Sequence, residues 1–452
     1  MIFKRIMNIS KQFFLINTYI LIFFITSFSV RAEIMERTLD NGMNIILKKD
    51  KRAPVVTSHI WYKIGSADEV SGKTGLSHAL EHMMFKGTKK NPGGKFSEII
   101  SKLGGKENAF TSKDYTAYYQ TLPSQYLEYA IKLESDRMSN LVVKKEDFLK
   151  EIEVIKEERR LRTDDQSEGI AYEQLYASAY NNSSYHDPII GWMEDLNNMT
   201  EKDISEWYEN WYAPNNATAV IVGDIDFDKT MQLLEKYYGN KKSIKIHDRF
   251  VRSEPFQFGE KNISIEIENK PSYLIMGYKV PSLNNKEIES WECYALSVLS
   301  GILSSGQNSR LQKVLVKEKK IASYADSGYS MFSRNNPLFL IDVNPMAGKE
   351  ISSVEIELEK IIEKLKIDLV SKKELNRIKA QVLASEVYQR DSIDYQARVL
   401  GMIKTSIGDI KLIDKYTSNI GSVTAEQVRK VARKYLVPNL QTVVKVNSNN
   451  SR

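Results

Sequence analysis

The sequence predicts an α+β protein of two homologous α/β sandwich domains, each a sheet packed against helices, that arose by duplication and face each other across a cavity. Three observations carry the prediction. A set of elements recurs at one constant offset, each copy closes on a β-branched strand, and strands mix with segregated runs of helix.

The repeat is clearest at the end of each half. Thr200–Ile204 opens a helix that stops before Trp211-Tyr-Ala-Pro214-Asn215, and the run Thr218–Val222 follows. Thr424–Val428, Tyr435-Leu-Val-Pro438-Asn439 and Thr442–Val446 repeat that order in register and without a gap. In each copy a threonine stands at the N-cap, where its hydroxyl can accept a free N–H of the first turn. The Pro-Asn pair ends the helix, and the β-branched run favours a strand. An offset as long as that from Thr200 to Thr424 excludes a solenoid, whose repeats run about 20–50 residues. The openings correspond as well. Val55–Ile64 alternates like a strand and precedes a helix around His78; Tyr273–Val280 does the same before a helix at about 288–303.

Within the first half, a hairpin at about 35–48 turns at Asp40-Asn41-Gly42, residue types suited to the positive φ of a tight turn. The Val55 strand, the His78 helix and a strand pair around Gly105–Thr121 follow. Two long helices at about 124–140 and 145–163 come next, then more helix and a closing strand at 217–224. The polar, charged stretch 240–262 links the halves.

The N-terminal segment, 1–32, is of another kind. Lys4, Arg5 and Lys11 precede an apolar run from Phe13 to about Val30, and Val30-Arg31-Ala32 offers a cleavage site before Glu33. This is the pattern of a secretory signal, which implies a periplasmic or other extracytoplasmic location. An uncleaved anchor is the rival, because the run approaches the roughly 18–20 residues that span a bilayer; contact with a membrane is expected only in that case. Residues 1–32 carry four basic groups and no acidic ones, so their removal lowers the formal charge from +6 to +2. That balance gives no electrostatic argument for a nucleic-acid partner. A hydrophobic share of 42% with 27% charged residues excludes a disordered or collagen-like chain. The single cysteine, Cys293, cannot form an internal disulfide, and its apolar helical neighbours Trp291, Leu296 and Leu299 mark it as a buried core thiol.

The chemistry concentrates in one helix, Thr74–Gly87, with Leu76, Leu80, Met83 and Met84 as its apolar face and Gly87 as its stop. His78 and His82 are four apart and so share a face one turn apart. Two imidazoles there can bind one tetrahedral zinc, each at about 2.0–2.1 Å. Glu81 falls between them, close enough to take a proton from a water that zinc acidifies. Only five histidines occur in the chain, which makes the spacing informative. A catalytic zinc needs a third protein ligand and one open position. On the acidic helix Glu146–Arg160, Glu151 and Glu158 are seven apart and share a face, so that one could ligate while the other supports a histidine. His59 and His186 are competing third donors.

His78-Ala-Leu-Glu81-His82 is the inverted zinc motif. With a glutamate at position 158, at the family's distance beyond His82, the chain resembles the family of pitrilysin, insulysin and the mitochondrial processing peptidase, in its bacterial two-domain branch. The resemblance spans about residues 35–447. It implies Glu158 as the third ligand and Glu151 as its supporting acid, with Glu157 the alternative register. It also implies that Asn108, Ala109 and Phe110 lie on an edge strand that pairs with a substrate backbone, a mode of binding that reads any extended peptide. The activity implied is zinc-dependent endopeptidase action on peptides or unfolded polypeptide segments, with one Zn2+ per chain and Glu81 as general base. A non-catalytic peptide-binding or assembly subunit of the same fold is the alternative. Together with the repeat and the N-terminal pattern, this divides the chain into a signal peptide (1–32), a zinc-bearing peptidase domain (33–239), a linker (240–262), an inactive homologous domain (263–447) and a tail (448–452). Aligning the halves at Gly87 and Gly306 places Ser297, Ser300 and Gly301 where the first half has His78, Glu81 and His82. Many members also use an Arg and a Tyr from a C-terminal-type domain. Here Tyr324 is present, but Val316 or Lys317 stands where the arginine is expected. That departure implies a homodimer, or a heterodimer with a sister chain that carries the Arg/Tyr pair.

Overall fold

Two sheets of matching topology organise the chain. The computed structural model describes residues 34–249 and 253–449; the expected signal or anchor segment, 1–32, lies outside the described residues. Strands β1 (Ile34–Thr38), β2 (Asn44–Lys49), β3 (Val55–Tyr62), β4 (Lys106–Thr111), β5 (Thr116–Pro123) and β6 (Ala217–Gly223) form one sheet in the order β1-β2-β6-β3-β5-β4. Strands β7 (Lys261–Glu268), β8 (Tyr273–Lys279), β9 (Ala322–Gly328), β10 (Leu338–Pro345) and β11 (Gln441–Asn449) form the other in the order β7-β11-β8-β10-β9. In each half the closing strand runs parallel to an opening strand, β6 to β2 and β11 to β7. The strands β3 and β8 then sit antiparallel between two neighbours. The duplication read from the sequence is therefore a duplication of topology.

The helices repeat in step. After β3 come α1 (Leu76–Met83) and α2 (Lys95–Lys102). After β5 come α3 (Leu127–Asn140), α4 (Lys145–Arg159), α5 (Ser167–Ala179), α6 (Met193–Asn198) and α7 (Glu201–Trp211); α8 (Phe227–Tyr238) follows β6. In the second half, α9 (Trp291–Ser304) follows β8. Then α10 (Ile351–Ile367), α11 (Lys372–Gln389), α12 (Ile393–Ser406), α13 (Leu412–Ser422) and α14 (Ala425–Tyr435) lie between β10 and β11. Both threonine N-caps form capping boxes, Thr200 with Asp203 and Thr424 with Gln427. Helix ends differ from the sequence reading. The segment Thr74–Gly87 is α1 followed by a 3-10 turn at Met84–Lys86, and the helix expected to reach 163 leaves α geometry at Arg160 for a π-helical turn, Arg160–Asp164.

Each sheet has one face on its own helices and the other on a helix from the opposite half. Helix α12 of the second half packs on β3 and β6, and α5 of the first half packs on β8 and β11. The latter contact forms a cluster of its own, with Ala171, Leu175 and Ala179 against Tyr273, Ile275, Val444 and Val446. Strands covered on both faces need unbroken apolar runs, which is why every residue of β6 is buried. At the α12 contact a Cβ on Gly401 would meet Trp61 Cε2 at 2.1 Å, so only glycine lets the helix approach the indole. The exchange ties the described residues from Met35 onward into one compact unit. A cavity of about 460 Å³ lies between the halves, lined by Lys113, Tyr115 and Tyr185 from one and Tyr329, Phe332 and Leu340 from the other. Cys293 is buried, and burial pushes its thiol up to about 11.

Candidate metal centre

Helix α1 is short and starts without a side-chain cap of its own. Gly75 at its N-cap has φ 86°, and a Cβ there would lie 2.6 Å from Ile190 O. Two acids from elsewhere take up the free N–H groups of this helix start. The buried Glu69 accepts from Gly75 N and Ser77 N, each at 2.7 Å. Asp195 accepts from Thr74 N at 3.0 Å and Thr74 Oγ1 at 2.6 Å. Leu76, Ala79, Leu80 and Met83 bury one face in the first-half core, which leaves His78 and His82 turned towards α4.

Helix α4 buries Phe148, Ile152, Ile155 and Arg159. The face beside them presents Glu151 and Glu158. Glu158 Oε2 lies 3.4 Å from His82 Nε2 and 3.9 Å from His78 Nε2. One ligand atom from each of His78, His82 and Glu158 falls within 4.8 Å of the others, and this is the one such cluster among the described residues. The two rings are 4.7 Å apart at 66°. Glu151 Oε1 accepts from His82 Nδ1 at 2.9 Å, which fixes the tautomer and leaves the Nε2 lone pair on the side of Glu158. Lys86 pairs with the other oxygen of Glu151. Burial pushes Glu151 up, but the bonds from Lys86 and His82 outweigh it and hold the carboxyl below its ordinary value. Burial, and then the neighbouring His82, pull His78 down to about 3, so this imidazole is uncharged at neutral pH and its lone pair is free. Its Nδ1 is buried without a partner, so packing alone orients that ring. Two imidazoles and a carboxylate, all partly exposed and convergent, fit a divalent zinc with one position left over.

Glu81 is held from the edge strand: Thr111 Oγ1 donates to Glu81 Oε2 at 2.5 Å. Burial raises its pKa, against the pull of Thr111 and His82. A raised carboxyl next to a metal site suits a group that must take up a proton.

The other predicted residues fall as follows. Strand β4 is the edge of its sheet and carries Asn108, Ala109 and Phe110. Asn108 is exposed and its Oδ1 accepts the Ala109 N–H at 2.9 Å. Ala109 packs against the core on the α1 side. Phe110 points to the opposite face, edge-on to Trp61 at 5.2 Å and under the Arg398 guanidinium at 4.5 Å. The Phe110 side chain therefore packs towards α12, and only its backbone lies along the edge. Glu157 pairs with Arg160 at 3.0 Å outside the cluster. His59 is buried on the α12 face, 3.2 Å from Asp394, and His186 sits 2.8 Å from Asp187; neither joins the cluster. Glu69, Lys86 and the hold of Thr111 on Glu81 escaped the sequence reading. An acid shortly before a helix that begins with Gly was the one available signal, and it was for Glu69.

Fold and site together define a class: a two-half α/β protein with an inverted histidine–glutamate–histidine metal motif in the first half only. Residues 44–191 match insulinase (peptidase family M16), and residues 198–382 match the peptidase M16 inactive domain. Zinc protease PqqE of Helicobacter pylori is 30% identical over 413 residues, covering 90% of this chain and 91% of that one. A Bacillus subtilis protein named uncharacterized zinc protease YmxG is 26% identical, covering 88% and 94%. The crystal structure of a protease from Helicobacter pylori superposes with a TM-score of 0.87 at 30% identity, over 92% of this chain and all of that one. The periplasmic protease PqqL of Escherichia coli shares the fold at 20% identity and TM-score 0.74, with 93% of this chain matching 48% of that chain. The chain belongs to peptidase family M16, the insulinase family, and its relatives bear the name of zinc proteases.

Proposed function

We propose that this protein is a zinc-dependent endopeptidase acting on peptides or unfolded polypeptide segments, with one Zn2+ per chain. The observation that carries the reading is the convergence of His78, His82 and Glu158 on one point beside Glu81, a part-buried carboxyl whose pKa is raised by burial. His78, His82 and Glu158 would hold the ion. Zinc bound there would supply Lewis-acid polarisation of the scissile carbonyl and a lowered pKa for water. Glu81 takes the proton of the attacking water and passes it to the leaving amine, while Thr111 keeps the carboxylate aimed. The exposed edge of β4 at Asn108–Phe110 pairs with an extended substrate. Its openness to any sequence suits unfolded segments.

The reading extends to a partner and a location. Tyr324 is exposed on the edge strand β9, where its hydroxyl donates to Asp326 at 3.0 Å. Val316 and Lys317 lie on the turn Gln312–Glu318, so this chain offers no arginine in the expected place. A second copy, or a sister chain with the Arg/Tyr pair, completes the site. The match of this chain to about half of the Escherichia coli protein supports such a pairing. The N-terminal segment directs export. Digestion of a peptide library, with zinc removed by a chelator and then restored, tests the activity. Cleavage that stops and returns with zinc is expected; cleavage indifferent to chelation refutes it. Full turnover by a monomer refutes the pairing.

A further inference from the structure

The sequence reading left Arg162 without a role, and the structure places it against the metal-binding acid. We propose that Arg162 is a positioning residue that confines Glu158 to one metal-facing oxygen and so keeps the zinc site open for water and substrate. The inference rests on the zinc reading above and adds a residue to it.

Glu158 divides its two oxygens between different partners. Oε2 faces both imidazoles, at 3.4 Å and 3.9 Å, while Oε1 pairs with Arg162 Nη1 at 2.7 Å. A carboxylate with both oxygens free can chelate a metal through both. The second oxygen would then occupy the position that a hydrolytic zinc site must leave open. A short charge-assisted bond to Oε1 removes that option.

An exposed ion pair ordinarily contributes only about 0–1 kcal/mol, because two long side chains must be ordered to form it. Here the backbone under Arg162 is already fixed from three directions. The π-helical turn Arg160–Asp164 closes with Asp165 N donating to Arg160 O at 2.8 Å, a wide turn of the kind found at functional sites. Gly169 packs so closely that a Cβ on it would lie 2.4 Å from Arg162 O. Lys270, from the second half, donates to Asp164 O at 2.7 Å. Below the turn, the buried Arg159 donates to Glu173 at 2.6 Å and 2.9 Å and to Gly191 O at 3.0 Å. The turn is built more rigidly than a solvated surface charge requires, and the one acid its guanidinium pairs with among the described residues is the metal ligand.

The test uses the full-length protein loaded with cobalt(II), whose visible bands are intense in a four-coordinate site and weaken as donors are added. Wild type is expected to show the intense bands. Arg162→Ala should weaken them several-fold as Oε1 joins the metal, lower kcat about 10–100-fold and leave KM little changed; Arg162→Lys should restore part of both. Arg162 is 75% exposed, so its removal leaves the fold intact. A cobalt spectrum for Arg162→Ala identical to wild type overturns the proposal. Failure of wild type to bind cobalt or zinc is a different result, and it overturns the zinc reading beneath it.

Discussion

Helices α1 and α9 follow β3 and β8, the same step in two copies of one topology, yet they have opposite surroundings. Helix α1 leaves His78, Glu81 and His82 partly exposed towards α4, joined to it by His82–Glu151 and the Glu158 contacts. Helix α9 is buried almost throughout, including Cys293, Leu296, Val298, Leu299, Ile302 and Leu303. Where the first half has Glu81, Ser300 donates to Ser327 O at 3.0 Å. Where it has His82, Gly301 brings α9 so close to α11 that a Cβ would meet Ile378 Cγ2 at 2.7 Å. The two halves show two ways to join the same pair of helices. Polar side chains hold them apart and leave ligand atoms close enough together to hold an ion; apolar packing brings them together and leaves no room for one.

The largest expected effect breaks the first arrangement at its chemistry. Glu81→Gln should cut peptide hydrolysis about 100- to 10,000-fold while zinc content is unchanged, measured by turnover and metal analysis on one preparation. A second change tries to turn α9 into α1. Ser297→His, Ser300→Glu and Gly301→His together should gain no metal and lose several kcal/mol in chemical denaturation, because overpacking alone costs about 1–3 kcal/mol per site. A second zinc per chain would break the comparison.

The next concerns the strap between the halves. Glu254 accepts from Asn181 N, Asn182 N and Ser183 N at 2.8–2.9 Å and pairs with Lys279 on β8 at 2.9 Å. Burial pushes this carboxyl up, but those donors outweigh it and bring it down to about 2. A group whose folded pKa is depressed stabilises above its unfolded pKa and loses that contribution as pH falls through the folded value. Glu254→Gln should therefore cost about 1.5–3 kcal/mol at neutral pH. The gap from wild type should close between pH about 4.5 and about 2; a gap constant with pH would contradict the assignment. The smallest change is Gly301→Ala. The obstructing atom is the end of an isoleucine side chain that can shift, so about 1 kcal/mol is expected by denaturation, with zinc content unaffected.

Much of this contrast was legible in the sequence because it is local. The histidine pair, the intervening glutamate and the recurrence of Thr200–Val222 at Thr424–Val446 are set by spacing along the chain. The third ligand was narrower: spacing offered Glu151 and Glu158 equally, and the family resemblance separated them. What the sequence hid depends on long-range packing. Glu69 caps α1 only because the loop before it folds back, and α5 and α12 cross to the opposite sheets, which no periodicity announces. Arg137 and Glu134 look like surface charges on a helix, yet they form a buried pair, with the guanidinium 4.5 Å from the Phe96 and Tyr118 rings. Phe110 is a different case. Strand alternation puts it on the face opposite Ala109 and Thr111, so its side chain could have been assigned to packing from the outset.

The central claim is that α1 and α4 together hold one zinc ion and that α9 and α11 hold none. Metal analysis of the purified full-length chain, beside His78→Ala, tests it most directly. One zinc per wild-type chain and none in the variant is the predicted result. A wild-type chain without zinc, or a variant that keeps it, would contradict the account.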